Sequence, residues 1–364
     1  MLLAVGLLAV ACSDSTDTDT DTESKSTSAT ATASEPEHEF RLIAPQGLRR
    51  ILRRERDRRR DSSTASTSAS TSTTVPVPTT SPAPPTIYVA RIERTFIDTT
   101  RSTPARGGNP PVTSRTIVTT IYYPTTVAPT AANPTPLHVP GPLPLIVFAH
   151  GYEIDAGAYA PLLEDLAAGG FAIAAPDFPG TSTRYPGGAI RSDSLEQPAD
   201  ISFVITSMIN ASAVPGPLFN LTDPAAVGDA GQSDGGVTAA AAAFNTCCID
   251  PRIKASSILT GGAFGFDGQW FPPGTPPVLF IHATADEVNP YGASTSMFSQ
   301  AQSPKYLLTV EGGSHLEVYV DPPWEEHVAR TMLAFFDLYL KGDQTAAARL
   351  TTEGTQPGYT LQSG

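Results

Sequence analysis

The chain has 364 residues and a formal net charge of -13, so nothing in the folded part is placed to neutralise a phosphate backbone, which excludes nucleic acid as a partner. Its length admits two average domains, but a change of composition near residue 86 leaves one core-forming stretch. The readings that survive are an enzyme and a binding module.

The N-terminus opens on an apolar run of eleven residues, Met1 to Ala11. It is too short to span a bilayer and fits the core of an export signal. Within this signal region, 1–12, Ala9, Val10 and Ala11 before Cys12 resemble a bacterial lipobox, which implies a cut before Cys12 and a lipidated Cys12 tethering an exported protein to the cell surface, with an ordinary secretory signal and a secreted protein as the alternative. Residues 13–86 are dominated by Ser, Thr, Asp and Pro, as in "DSSTASTSASTSTTVPVPTTSPAPP". They bury too little apolar surface to offset their ordering entropy and read as a disordered stalk. Within it, eight arginines crowd residues 49–60; a solvated charge run is the expectation, with contact to anionic lipid or wall polymer as its rival.

The folded domain is expected over 87–345, followed by a C-terminal tail, 346–364. "IYVARIERTFID" and "RTIVTTIYYP" are rich in β-branched and aromatic residues and predict a hairpin at one sheet edge. Then come "PLIVFAH", "FAIAAPD", "AAVGDAG", "ASSILTG", "PPVLFIH" and "KYLLTVEG", short apolar runs suited to strands buried on both faces. Helix-like stretches alternate with them, among them "AGAYAPLLEDLAAGG", "GGVTAAAAAF" and "PPWEEHVARTMLAFFDLYLKG". This predicts an α/β fold, a mostly parallel central sheet with helices on both faces.

In such sheets chemistry collects at the carboxyl ends of the strands. Those ends carry His150, Gly151 and Tyr152; then Gln232, Ser233 and Asp234; then Asp286; then His315. Gly231, Ser233 and Gly235 form G-x-S-x-G, where serine sits on a strained strand-to-helix turn and glycines let neighbouring backbone pass close. The following helix aims its N–H groups at charge building on a substrate oxygen. Serine is a weak nucleophile until a base takes its proton, a task for His315 if Asp286 fixes its tautomer.

With these motifs in place, residues 87 to about 345 resemble the α/β-hydrolase superfamily. The tract from "FAHGYEIDAGAYAPLLEDLAAGGFAIAAPDFPG" to "PKYLLTVEGGSHLEVY" is similar to the bacterial cutinase-like and polyester-hydrolase group and related secreted esterases. The resemblance implies an α/β-hydrolase fold without a large lid domain and a serine esterase mechanism with Ser233, Asp286 and His315 as triad. It also implies an oxyanion hole from the backbone N–H groups of Tyr152 and Asp234. The Tyr152 ring would line the acyl pocket. This chain departs from the group in having Gln232 where histidine is common and Asp234 where methionine is usual. The group's aromatic clamp is matched by Phe264, Phe266 and Trp270 only as candidates, with Phe264 and Phe266 taken as substrate-binding. Dienelactone hydrolases share the fold but use cysteine, which Ser233 argues against.

Other residues compete for these roles. Glu287 rivals Asp286 as the acid, and His327 rivals His315, although the helix period around His327 predicts a first-turn surface residue. His150 and His282 are expected to be structural. Cys247 and Cys248 are adjacent, so separate buried thiols are expected. No motif predicts a metal or a cofactor. The expected partner is a small or polymeric ester, the site open, the preference for short acyl groups, and the protein a monomer touching membrane only through Cys12. A serine peptidase or acyltransferase on the same fold, or a non-catalytic adhesin, are the alternatives.

Overall fold

The six continuous apolar runs become the middle of a sheet because only strands covered on both faces can bury every side chain. A computed structural model describes residues 86–130, 132–133 and 141–364. The export signal 1–12 with Cys12, the arginine run 49–60, and all but the last residue of the stalk lie outside the described residues. The described residues build a nine-stranded sheet in the order β1-β2-β4-β3-β5-β6-β7-β8-β9. The strands are β1 Tyr88–Asp98, β2 Arg115–Thr125, β3 Leu143–Ala149, β4 Ala172–Asp177, β5 Thr222–Gln232, β6 Ile253–Leu259, β7 Val278–Ala283, β8 Lys305–Val310 and β9 Tyr359–Ser363. From β4 to β8 all neighbours are parallel, while β1, β2 and β9 add antiparallel edges.

The helices are α1 Ala160–Ala168, α2 Gln197–Ala213, α3 Asp234–Phe244, α4 Gly292–Gln300, α5 Glu317–Val320, α6 Trp324–Leu340 and α7 Ala346–Gly354. Strand β5 shows how they divide. A Cβ on Gly228 would touch Phe336 and Leu340 of α6, whereas one on Gly231 would strike the backbone of Gly235 in α3. Positions 228 and 231 differ in parity and so point to opposite faces, which puts α6 and α3 on opposite sides of the sheet. The core on the α3 side joins Val204 and Met208 of α2, the alanines of α3 and Phe298 of α4 to the inner strands. Each large apolar side chain buried there contributes about 1.5–3 kcal/mol.

Three expectations are corrected here. The segment 346–364 is not a tail: α7 and β9 fold back, and β9 pairs antiparallel with β8 from Tyr306↔Ser363 to Val310↔Tyr359. The edge of β8 would otherwise be left with unpaired backbone groups. His327 is consequently not a surface residue. It is buried, its ring stacks on Tyr359 at 3.6 Å, and its Nε2–H donates to the Glu353 carbonyl. Burial also pushes its pKa down. Finally, Cys247 and Cys248 are joined to each other in a disulfide. The turn after α3, capped by the Asn245 side chain on the Cys247 N–H, leaves Cys247 at the surface and Cys248 half-buried, so the pair is neither separate nor buried.

Candidate active site

The register of the parallel strands lines up one edge. Ala149 ends β3 opposite Gly231 of β5, Gln232 ends β5 opposite Leu259 of β6, Leu259 faces Ile281 of β7, and Ala283 ends β7 opposite Val310 of β8. The residues just beyond these ends therefore become neighbours: Gly151, Ser233, Thr260, Asp286 and His315. None is close to the next in sequence, and parallel pairing alone brings them together.

Ser233 has φ 59° and ψ -123°, a conformation that strains any side-chain-bearing residue. It is held there by its N–H bond to the Leu259 carbonyl at 2.9 Å and by crowding from both sides. A Cβ on Gly231 would lie 2.1 Å from the Gly235 carbonyl oxygen, and one on Gly235 2.1 Å from the Ala149 oxygen. The two glycines thus let α3 start directly against the ends of β3 and β5. A serine before a helix ordinarily caps it with its own hydroxyl. Ser233 makes no such cap; its Oγ–H instead donates to Nε2 of His315 at 2.8 Å.

His315 Nδ1–H donates to Asp286, at 2.8 Å from Oδ2 and 3.0 Å from Oδ1. Asp286 also accepts from the backbone N–H groups of Val288 and Asn289, both at 2.8 Å, and from the Thr260 hydroxyl. Burial alone would raise its pKa, but hydrogen bonds from His282, His315 and Thr260, with the charge of His315, carry it well below the usual carboxylate range. An ionised Asp286 keeps the proton on Nδ1 and turns the Nε2 lone pair toward Ser233. The rival acid Glu287 takes another part: it accepts the backbone N–H of His315 at 3.1 Å.

Several residues of this edge have no motif to announce them. His282, read as structural, lies 3.3 Å from Asp286 through Nε2, shares that nitrogen with the Thr260 hydroxyl at 3.0 Å, and receives the Ser294 hydroxyl on Nδ1. Asn289 donates its side-chain N–H to the Thr260 carbonyl. Gln232 is buried, accepts from the Tyr159 hydroxyl at 2.7 Å and donates to the His315 carbonyl at 2.9 Å. The same Tyr159 oxygen accepts the Gly151 N–H at 3.2 Å. A buried bridge thus runs from the loop after β3 to the loop after β8. Its alternation of donor and acceptor could have been found only with the fold in hand. His150 is enclosed, its Nδ1–H donating to the Gly151 carbonyl and its Nε2 accepting the Phe178 N–H.

On the open side, Tyr152 follows β3 and Asp234 begins α3, so the N–H of Asp234 is one of those a helix leaves without an internal acceptor. A Cβ on Gly151 would lie 3.4 Å from the Ser233 Cβ, which places the Tyr152 loop against the serine. The Arg191 guanidinium stacks 3.7 Å above the Tyr152 ring and pairs with the Asp234 carboxylate. Burial pushes Asp234 up, partly countered by Arg191. A cavity of about 290 Å³ opens beside Asp234, walled by Leu195, Val237, Phe264 and Phe266 with Arg191 at its rim. Phe264 and Phe266 therefore lie where a substrate group could rest. Tyr152 packs beneath Arg191 and does not line that cavity, and Trp270 stands behind, edge-on to Phe266 at 6.3 Å.

The assembly can move a proton from a serine hydroxyl to a fixed imidazole, next to a helix N-terminus and a pocket with apolar walls. No protein-family model matches the chain, and no curated protein matches it in sequence.

Proposed function

We propose that this chain is a serine hydrolase of carboxylic esters, working through an acyl-enzyme on an α/β-hydrolase-type fold. The observation that carries the reading is the unbroken hydrogen-bond sequence from Asp286 through His315 to Ser233 on a positive-φ turn. Ser233 Oγ attacks the ester carbonyl carbon while its proton passes to His315 Nε2, and Asp286 stabilises the imidazolium. The carbonyl oxygen becomes an oxyanion facing the N–H groups of Tyr152 and Asp234. The tetrahedral intermediate collapses, the C–O bond to the alcohol breaks, and His315 returns the proton to the departing oxygen. Water then repeats the sequence on the acyl-enzyme, releasing the acid and restoring Ser233.

The cavity beside Asp234 suits a small acyl or aromatic group, in keeping with short-chain esters and with the resemblance to cutinase-like enzymes. Export and a lipid anchor at Cys12 belong to the same proposal. The test is labelling with a fluorophosphonate together with hydrolysis of p-nitrophenyl acetate to octanoate, a peptide p-nitroanilide and an amorphous polyester film. Expected are labelling at Ser233, ester turnover without peptide cleavage, and a loss in kcat on the order of 10⁶-fold in Ser233→Ala. A wild-type protein that neither labels nor turns over any ester refutes the proposal, and peptide cleavage redirects it.

A further inference from the structure

Beyond Ala149↔Gly231 the β3–β5 ladder ends. The two backbone donors proposed for the oxyanion, Tyr152 and Asp234, therefore sit on a loop and on a helix start with no sheet hydrogen bond between them. Their separation is set by the close packing of the Gly235 backbone on Ala149 and His150 and by side chains. From below it is set by the Gly151, Tyr159 and Gln232 bridge. From above, one residue touches both: Arg191, flat on the Tyr152 ring and ion-paired with Asp234. A planar guanidinium can stack and form an ion pair at once, which an ammonium does poorly.

Arg191 is itself presented from a fixed base. It opens the 3-10 turn Arg191–Glu196, whose Asp193 is buried and receives both Nη atoms of Arg115 at 2.8 and 2.9 Å. The Ile190 N–H bonds the Gly180 carbonyl at 2.8 Å. Gln197 accepts the Thr238 hydroxyl of α3 at 2.6 Å and donates to Thr181 at 2.7 Å. The residue that follows this arm is thus tied by its side chain to the nucleophile's helix, while the guanidinium end is about half exposed. Such an exposed pair adds little to stability, whereas a displaced oxyanion donor costs roughly 100-fold to 1,000-fold in rate.

We infer that Arg191 is a positioning residue that clasps the Tyr152 and Asp234 donors together over the nucleophile. The inference rests on the ester-hydrolase reading above. It is tested by comparing wild type, Arg191→Ala, Arg191→Lys, Asp234→Asn and the double variant Arg191→Ala/Asp234→Asn. The substrates are the neutral p-nitrophenyl butyrate and the anionic mono-p-nitrophenyl succinate, with an alkylboronic acid as tetrahedral mimic. The clasp predicts that Arg191→Ala lowers kcat on both esters by roughly 10-fold to 100-fold with KM within about twofold, and weakens the boronate in parallel. Melting temperature should stay near the wild-type value. Arg191→Lys should fall between, and the double variant should be no worse than Arg191→Ala, because the two residues act as one unit. An unchanged kcat in a labelled, folded Arg191→Ala or Arg191→Lys protein overturns the clasp alone. So does a loss confined to KM on the succinate ester, which would make Arg191 a contact for substrate carboxylate. A wild type that fluorophosphonate does not label overturns the hydrolase reading and the clasp with it.

Discussion

Asp286 and Asp229 are two buried carboxylates of one sheet, and they lie at opposite ends of what burial allows. Asp286, beyond the carboxyl edge, is surrounded by donors: His315, Thr260 and the N–H groups of Val288 and Asn289. It is held ionised. Asp229 lies in the middle of β5, opposite Ser256 of β6. Among the described residues no donor lies within hydrogen-bond distance of its oxygens, and burial, only partly countered by the neighbouring Ser256 hydroxyl, pushes its pKa up to about 8. The difference teaches that burial does not decide what a carboxylate does; the donors within reach decide it. A third arrangement lies under β2, where the fully buried Arg115 pairs with both Asp193 and Asp200, and Arg101 adds a bond to Asp200. There a buried cation fills the place that hydrogen-bond donors fill at Asp286.

Breaking the comparison at its charged end has the largest effect. Asp286→Asn keeps the shape but removes the charge and puts an N–H donor where Oδ2 accepts the Nδ1 proton, favouring the wrong tautomer of His315, so kcat should fall on the order of 10⁴-fold while the protein still folds. Steady-state kinetics with a short ester, beside a thermal melt, measures it; a loss below tenfold would mean that Asp286 is not the acid. Next comes the ionic cluster. Arg115→Ala leaves Asp193 and Asp200 buried without their cation and should cost about 3–5 kcal/mol of stability, read from urea unfolding. Activity should suffer as well, because Asp193 seats the turn that carries Arg191.

The smallest effect sharpens the other end. The carboxyl of Asp229 binds its proton more tightly folded than unfolded, where its pKa is that of an ordinary carboxylate near 4. Between about pH 4 and pH 8 the unfolded chain has therefore lost a proton that the native state retains, and stability falls as pH rises through that window. Above it the native carboxyl is ionised as well and this contribution levels off. Asp229→Asn, which carries no ionisable proton, should remove that slope, a difference on the order of a few kcal/mol between the two ends. Urea midpoints at pH 5 and 8 for both proteins check it; parallel slopes would show that Asp229 has a partner after all.

Much of the edge is legible in the sequence. Strands buried on both faces announce themselves as continuous apolar runs, and "GDAGQSDGG" shows a strand end, a glycine-flanked serine and a helix start in nine residues. His315 and Asp286 could be named because each follows such a run by a few residues. What stayed hidden belongs to long-range partnership. Arg115 carries no sign that its partners stand some eighty residues on, and Gln232 looks like a plain substitution until Tyr159 and His315 are seen at its two ends. His327 was misread because its exposure depended on a segment that follows it. Period along α6 says which side of the helix it occupies, but not that β9 covers that side.

The amino-acid sequence by itself determined the alternation of strand and helix, the strained serine between glycines, and the order Ser, Asp, His along the chain. These follow from local pattern, backbone sterics and the need to bury apolar runs. The tertiary structure alone decided which carboxylate is ionised, which histidine faces the serine, that Arg191 bridges Tyr152 and Asp234, and that the last residues close the sheet. Those depend on distances between residues far apart in the chain, and only the register of parallel strands sets such distances.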